Sequence, residues 1–161
     1  MRDLIDPLPL AAMRRYYCDL IASGSLALGN GQVERRYALH SEPLARFFHG
    51  QLANLLSRIA GEAVKSSYVY LAAYQPGAVL EPHLDRTQCQ VSISFLVDYA
   101  PEPDDVSPSS LFMQRKGVSS ATALYQGIGD TAFYKGCEVV QLARGAPRKS
   151  LFHVALFPLC S

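Results

Sequence analysis

The run from Ser67 to Tyr99 constrains this chain more than any other stretch. It opens on the strand formers Tyr68, Val69, Tyr70 and Leu71 and breaks at the turn pair Pro76-Gly77. It closes on Val91 to Val97, where Val, Ile, Phe and Val alternate with Ser, Ser and Leu. Alternation with period two belongs to a strand. The pattern predicts two β-strands joined by a tight turn and a polar loop, with His83 and Asp85 in the loop. Residues i and i+2 of an extended backbone share a face, so this imidazole and this carboxylate can point at one cation. Such a pair is two thirds of the set of two histidines and one carboxylate that holds Fe(II) on one side and leaves the other positions open.

Beyond Tyr99 the residues 99–110, rich in Pro, Asp and Ser, read as an exposed loop. Short strand candidates follow at 111–114, 122–125, 131–134, 138–142 and 150–157, separated by turns at Gly117, Gly127, Gly129-Asp130, Gly136 and Gly145. Many short strands punctuated by glycine imply a sandwich or barrel. The first third of the chain differs in kind. Met13, Tyr16, Tyr17, Leu20 and Ile21 recur at helical spacing within Pro9–Ser23, and Gly24 is placed to end that helix. Ser41 reads as an N-cap before Glu42-Pro43, and Leu44, Phe47, Phe48, Leu52, Leu55, Leu56 and Ile59 form the stripe of a longer helix stopped by Gly61. Between them, residues 24–40 read as a loop or edge element. His40 and His49 are expected at the surface or partly packed, with no chemical role. The layout is α+β, with two helices bracing one face of a barrel-like core.

At 161 residues the chain is the size of one domain, here 1–161, with 1–62 as helical support and 67–158 as the β core. A formal charge of +1 without a basic stripe argues against nucleic acid and anionic membranes as partners. No apolar run reaches the ~20 residues of a membrane span, and the first ten residues carry acids and prolines where a signal peptide would be apolar. A cytoplasmic location is expected. Cys18, Cys89, Cys137 and Cys160 lack C-x-x-C spacing and read as small buried hydrophobes.

Tyr74, Gly77, Leu80, His83 and Asp85 together spell Y-x-x-G-x-x-L-x-x-H-x-D, followed by Arg86, Cys89 and a strand with serines at 92 and 94. This resembles the Fe(II)/2-oxoglutarate dioxygenase superfamily, in particular the branch that includes prolyl hydroxylases, over residues 67–157. The resemblance implies a double-stranded β-helix (jelly roll), His83 and Asp85 as the first two iron ligands, Tyr74 near 2-oxoglutarate, and oxidation of a small-molecule or peptide substrate. In such relatives a Gly-Asp strand leads to a motif like Arg-Gly-x-Glu-x-x-His, whose histidine closes the iron site. Here Gly129-Asp130 and Lys135-Gly136-Cys137-Glu138 match, and Gln141 stands at the histidine's position. The third donor is therefore open between His153, on the last strand candidate, the weak amide oxygen of Gln141, and no donor at all. Arg148 and Lys149 are the candidates to pair with the far carboxylate of 2-oxoglutarate, and Arg86 is a candidate to steer an acidic or carbonyl group of the substrate. Two readings follow: an Fe(II)/2-oxoglutarate-dependent oxygenase, or a barrel that has lost its oxidative role and serves as a binding or scaffold subunit. A homodimer is compatible with either.

Overall fold

The computed structural model describes residues 1–2, 4–87 and 89–143, together with the backbone of 151–156 and 159–160. In chain order its elements are α1 (Pro7–Ala22), β1 (Arg36–His40), α2 (Pro43–Ala60), β2 (Lys65–Ser66), β3 (Tyr70–Tyr74), β4 (Leu80–His83), β5 (Ser92–Ala100), β6 (Ser110–Arg115), β7 (Thr122–Tyr125), β8 (Thr131–Tyr134), β9 (Val139–Ala143), β10 (Leu151–Leu156) and β11 (Leu159–Cys160). Three antiparallel sheets result: a five-stranded one in the order β1-β3-β10-β5-β8, a four-stranded one in the order β4-β9-β6-β7, and the pair β2-β11. No helix among the described residues is long and apolar enough to cross a membrane.

Both helices form where apolar spacing predicts them, but α2 is capped differently. Its N-cap is Glu42, whose carboxylate accepts from the backbone N–H groups of Leu44 and Ala45 at 3.1 and 2.8 Å. The same carboxylate accepts the hydroxyls of Tyr16 and Tyr17 on α1, so one buried acid joins the two helices. The longer acidic side chain reaches the free first-turn donors and carries a charge suited to the positive end of the helix, whereas Ser41 turns the chain at φ 55°. At the other end Gly61 closes the helix in the left-handed conformation at φ 76°.

His49 is buried, at 2 % exposure, and not at the surface. It shares the inward stripe with Ala45, Leu52 and Leu56, and that i, i+4, i+7, i+11 phase outweighs its polarity. Burial lowers its pKa from 6.5 to about 4. Between those values the unfolded chain binds a proton that the folded chain excludes, so stability falls as the pH drops from 6.5 to 4 and is level below. At 1.36 kcal/mol per pH unit the loss is roughly 3 kcal/mol. Chemical denaturation across this window should show the fall, and His49→Leu should flatten it; a wild-type profile that stays level from pH 6.5 to 4 would contradict the burial effect.

Between Ser67 and Tyr99 lie three strands where the sequence pattern suggested two. Residues Leu80–His83 pair with β9, and His83 is a strand terminus and not a loop residue. Pro82 is accommodated within it because β4 lies at the edge of its sheet, where a missing ladder N–H is tolerated. The residues 24–40 resolve into a loop followed by the edge strand β1.

Two apolar layers flank the five-stranded sheet. On one side Leu71, Ile93, Phe95 and Val97 pack with Met13, Tyr17, Leu52 and Leu56 of the helices. On the other, Tyr70, Ala72, Tyr74, Leu96 and Tyr99 pack with Leu80 and Ala143 of the four-stranded sheet. The alternation of β3 and β5 thus serves two interfaces. Along β5 it is re-phased at Val97, a bulge with no partner on β10, since Leu96 opposes Val154 and Asp98 opposes His153. Asp98 consequently meets Arg14 of α1 at 2.8 Å, and Tyr99 turns into the space between the sheets.

Of the cysteines, Cys89 is buried as expected, but Cys18 is exposed and Cys137 half-buried. Their thiols are tied to oxygens: Cys18 to Asp98, and Cys137 to the carbonyls of Arg86, Thr87 and Cys89. The side chain of Cys160 lies outside the described residues.

Candidate functional site

His83 and Asp85 line one cavity of about 180 Å³, together with Arg36, Tyr68, Tyr70 and Tyr74. The cavity lies where the end of β4 faces the tyrosines of β3. His83 Nδ1 sits 3.0 Å from the carbonyl of Glu81. A carbonyl only accepts, so Nδ1 is the donor of this pair, and of the two neutral tautomers the contact selects the one whose bare nitrogen is Nε2, the tautomer a metal ligand at Nε2 needs.

Asp85 is positioned by its neighbours across the chain. Its backbone N–H donates to the carbonyl of Gly136 at 3.1 Å, and its Oδ2 accepts the Ser92 hydroxyl. Among the described residues Oδ1 has no hydrogen bond. Gly136 leaves room for this arrangement, because a Cβ there would fall 2.6 Å from Asp85 Oδ2 and 2.5 Å from Ser92 Oγ. The glycine of the sequence pattern Lys135-Gly136-Cys137-Glu138 is thus a floor for the carboxylate.

Opposite His83 on β9 stands Gln141: the two are register partners in the four-stranded sheet. Gln141 is 1 % exposed. Its Oε1 accepts the Tyr134 hydroxyl at 2.8 Å, while its Nε2 has no partner among the described residues. A buried, unsatisfied amide donor is costly. A hydroxyl donates and accepts equally well, so turning the carboxamide over keeps the bond to Tyr134 and presents Oε1 where Nε2 stands. An orphaned donor then becomes a free oxygen. Burial, and next the charge of Asp85, push the Tyr134 phenol well above its ordinary pKa, keeping it a neutral hydroxyl.

Position 153 lies in the other sheet, where the β10 backbone sets it opposite Ala73 of β3 and Asp98 of β5; its side chain is outside the described residues, as are Arg148 and Lys149. Arg86 is exposed and stacks over the Tyr68 ring at 5.1 Å. Among the described residues no three His, Cys, Asp or Glu side chains group around one point. The cavity holds one imidazole and one carboxylate, from His83 and Asp85, while Gln141 is paired with His83 in the sheet and is not among the residues that line it; two such donors fit a divalent cation held weakly.

The sequence reading missed Arg36, which is buried at 1 % exposure. Its NH1 donates to the Tyr74 hydroxyl at 3.2 Å and its NH2 to Gln32 Oε1 at 2.9 Å. The guanidinium also lies over the rings of Tyr70 and Tyr74, at 5.1 and 5.4 Å from their centres. Burial raises the Tyr74 pKa, and the charge of Arg36 pulls against it. The sequence carried no local signal for it: Arg36 stands in the short charged and aromatic run of residues 24–40, next to Tyr37 and out of phase with it.

The fold is that of the double-stranded β-helix Fe(II)/2-oxoglutarate oxygenases. Among solved structures, a Pseudomonas putida prolyl-4-hydroxylase superposes with a TM-score of 0.73 at 17 % identity, over 98 % of this chain and 90 % of that one. A Trichoplax adhaerens prolyl hydroxylase, in complex with a peptide fragment of the hypoxia inducible factor oxygen degradation domain, gives 0.73 at 11 % identity over 99 % and 82 %. The epimerase SnoN, in complex with Fe³⁺, alpha ketoglutarate and nogalamycin RO, gives 0.70 at 10 % identity over 98 % and 77 %. No protein-family model and no curated protein matches the sequence. At these identities the likeness is one of fold.

Proposed function

We propose that this protein is an Fe(II)/2-oxoglutarate-dependent oxygenase whose metal is held by His83, Asp85 and the carboxamide of Gln141, and which oxidises a small-molecule or peptide substrate. The observation that carries the reading is the meeting of His83 and Asp85 in one cavity, with Gln141 as the register partner of His83. The same fold in SnoN holds iron and alpha ketoglutarate, and in the Trichoplax enzyme it takes a peptide. His153 is the less favoured donor, because its register partner on β3 is Ala73, out of phase with Tyr70, Ala72 and Tyr74 on the cavity side of that sheet.

In this reading Glu81 fixes the His83 tautomer so that Nε2 faces the cation. Ser92 and the Gly136 carbonyl hold Asp85 in place, so that ordering its carboxylate costs little when the cation arrives. When bound, Fe(II) with 2-oxoglutarate supplies the O₂-activating redox chemistry that protein side chains lack. Tyr74, a neutral buried hydroxyl at the cavity wall, orients the acid by hydrogen bonding.

Anaerobic addition of Fe(II) and 2-oxoglutarate should give the weak visible absorption of the metal–keto acid chelate. Its absence at millimolar ligand would favour the second reading, a barrel that binds without oxidising. One feature supports that alternative: Gln141 Oε1 is already engaged by Tyr134, which leaves the amide less free to act as a metal donor.

A further inference from the structure

We infer that Arg36, with Tyr74 and Gln32, forms a carboxylate-binding subsite on β1, able to take the acid group of a small aliphatic acid with or without a metal ion. Arg36 is buried and lines the same cavity as His83 and Asp85, yet no Asp or Glu among the described residues pairs with it. Two of its five N–H groups are engaged, by Tyr74 and Gln32, and Nε has no partner. A buried charge without a counter-ion is costly unless something compensates for it. The rings of Tyr70 and Tyr74 compensate in part, by presenting their negative faces to the guanidinium. They also fix its plane, which prepares the parallel N–H pair that a carboxylate accepts.

The position is set by the fold. Arg36 is the register partner of Tyr74, so the cation and the phenol come from adjacent strands at the same level. Asn30 donates to the Tyr70 hydroxyl at 2.7 Å and holds the second ring in place. A cavity of about 180 Å³ is small, and suits an acid of a few carbons better than a peptide. The acid can be the 2-oxo acid of the proposed reaction or a carboxylate of another small substrate. Only the first of these rests on the oxygenase reading, and the experiment separates the two.

Metal-stripped protein is melted and titrated by calorimetry with 2-oxoglutarate and with glutarate, which keeps both carboxylates and lacks the keto group. The expected result is that each acid raises the melting temperature, by roughly 8 °C at a hundred times its Kd, and that Arg36→Gln weakens both at least tenfold. Should that variant fold poorly, Tyr74→Phe, which removes only the hydroxyl partner, should weaken both acids by a smaller factor. Mn(II), added without oxygen, then distinguishes the sources. Tighter binding of 2-oxoglutarate alone identifies the acid as the 2-oxo acid; no change for either identifies the carboxylate of another small acid and leaves the subsite standing while the oxygenase reading falls. If neither acid shifts the wild-type melt, or if Arg36→Gln binds both as wild type does, the subsite is overturned whatever the metal does.

Discussion

Gly136→Ala should destabilise the protein by about 2 kcal/mol and abolish divalent-metal binding, although residue 136 carries no chemical group of its own. The added Cβ would stand 2.5 Å from Ser92 Oγ, 2.6 Å from Asp85 Oδ2 and 2.8 Å from the carbonyl oxygen of Cys89. The Ser92 hydroxyl can rotate aside, and the Asp85 carboxylate can swing away from the cavity. The Cys89 carbonyl cannot yield so cheaply, because it belongs to a loop closed by the Cys89 N–H on the Arg86 carbonyl and anchored by the Asp85 N–H on Gly136 itself. Overpacking against backbone costs 1–3 kcal/mol in typical cores. What gives way is therefore the loop that holds Asp85, and with it goes the one charged donor of the proposed metal site. Denaturant melts would read the stability, and Mn(II) calorimetry the binding. An alanine variant with wild-type stability and wild-type Mn(II) affinity would show that Asp85 is not seated on this glycine.

What the sequence disclosed and what it hid divide along sequence separation. His83 and Asp85 were legible because their relation is local: two residues of extended chain bring them to one side, and both do line one cavity. The helices were legible for the same reason, their phase being written in i, i+3, i+4 spacing. Within α2 the stripe was read through Leu44, Phe48, Leu52 and Leu55, so His49 was expected at the surface or partly packed, whereas it lies on the buried stripe with Ala45, Leu52 and Leu56. A sandwich or barrel followed from many short strands broken by glycine, and the jelly roll in particular only from the resemblance carried by the Tyr74-to-Asp85 motif; the two layers of the core show why both faces of β3 and β5 had to be apolar. Arg36 was not legible. An arginine in an edge strand reads as solvated, and only the pairing of β1 with β3 buries it against Tyr70 and Tyr74. The opposition of Gln141 to His83 was hidden in the same way, since it depends on the register between β4 and β9 and on nothing local to either.

That register yields the second large effect. Gln141→His should tighten binding of Mn(II) or Co(II) by at least tenfold and up to about a hundredfold. The imidazole would enter at the position paired with His83, completing two nitrogens and one carboxylate, a set suited to divalent first-row metals. The magnitude follows from how sensitive such sites are: removing even a group that only hydrogen-bonds a ligand costs 10–100-fold in metal affinity, so a direct imidazole donor in place of a neutral amide is worth at least as much. Opposing this, the Tyr134 hydroxyl loses its partner at Gln141 Oε1; leaving a buried hydroxyl unpaired costs about 1–3 kcal/mol, a loss that falls on the folded variant with or without metal and so leaves the gain in metal affinity in place. Calorimetric titration of wild type, Gln141→His and His153→Ala side by side decides the assignment. Tightening in the first variant and no change in the second would place the third donor on β9. If Gln141→His binds no better than wild type while His153→Ala loses the metal, the donor lies on β10, and the pairing of Gln141 with His83 has no part in holding the ion.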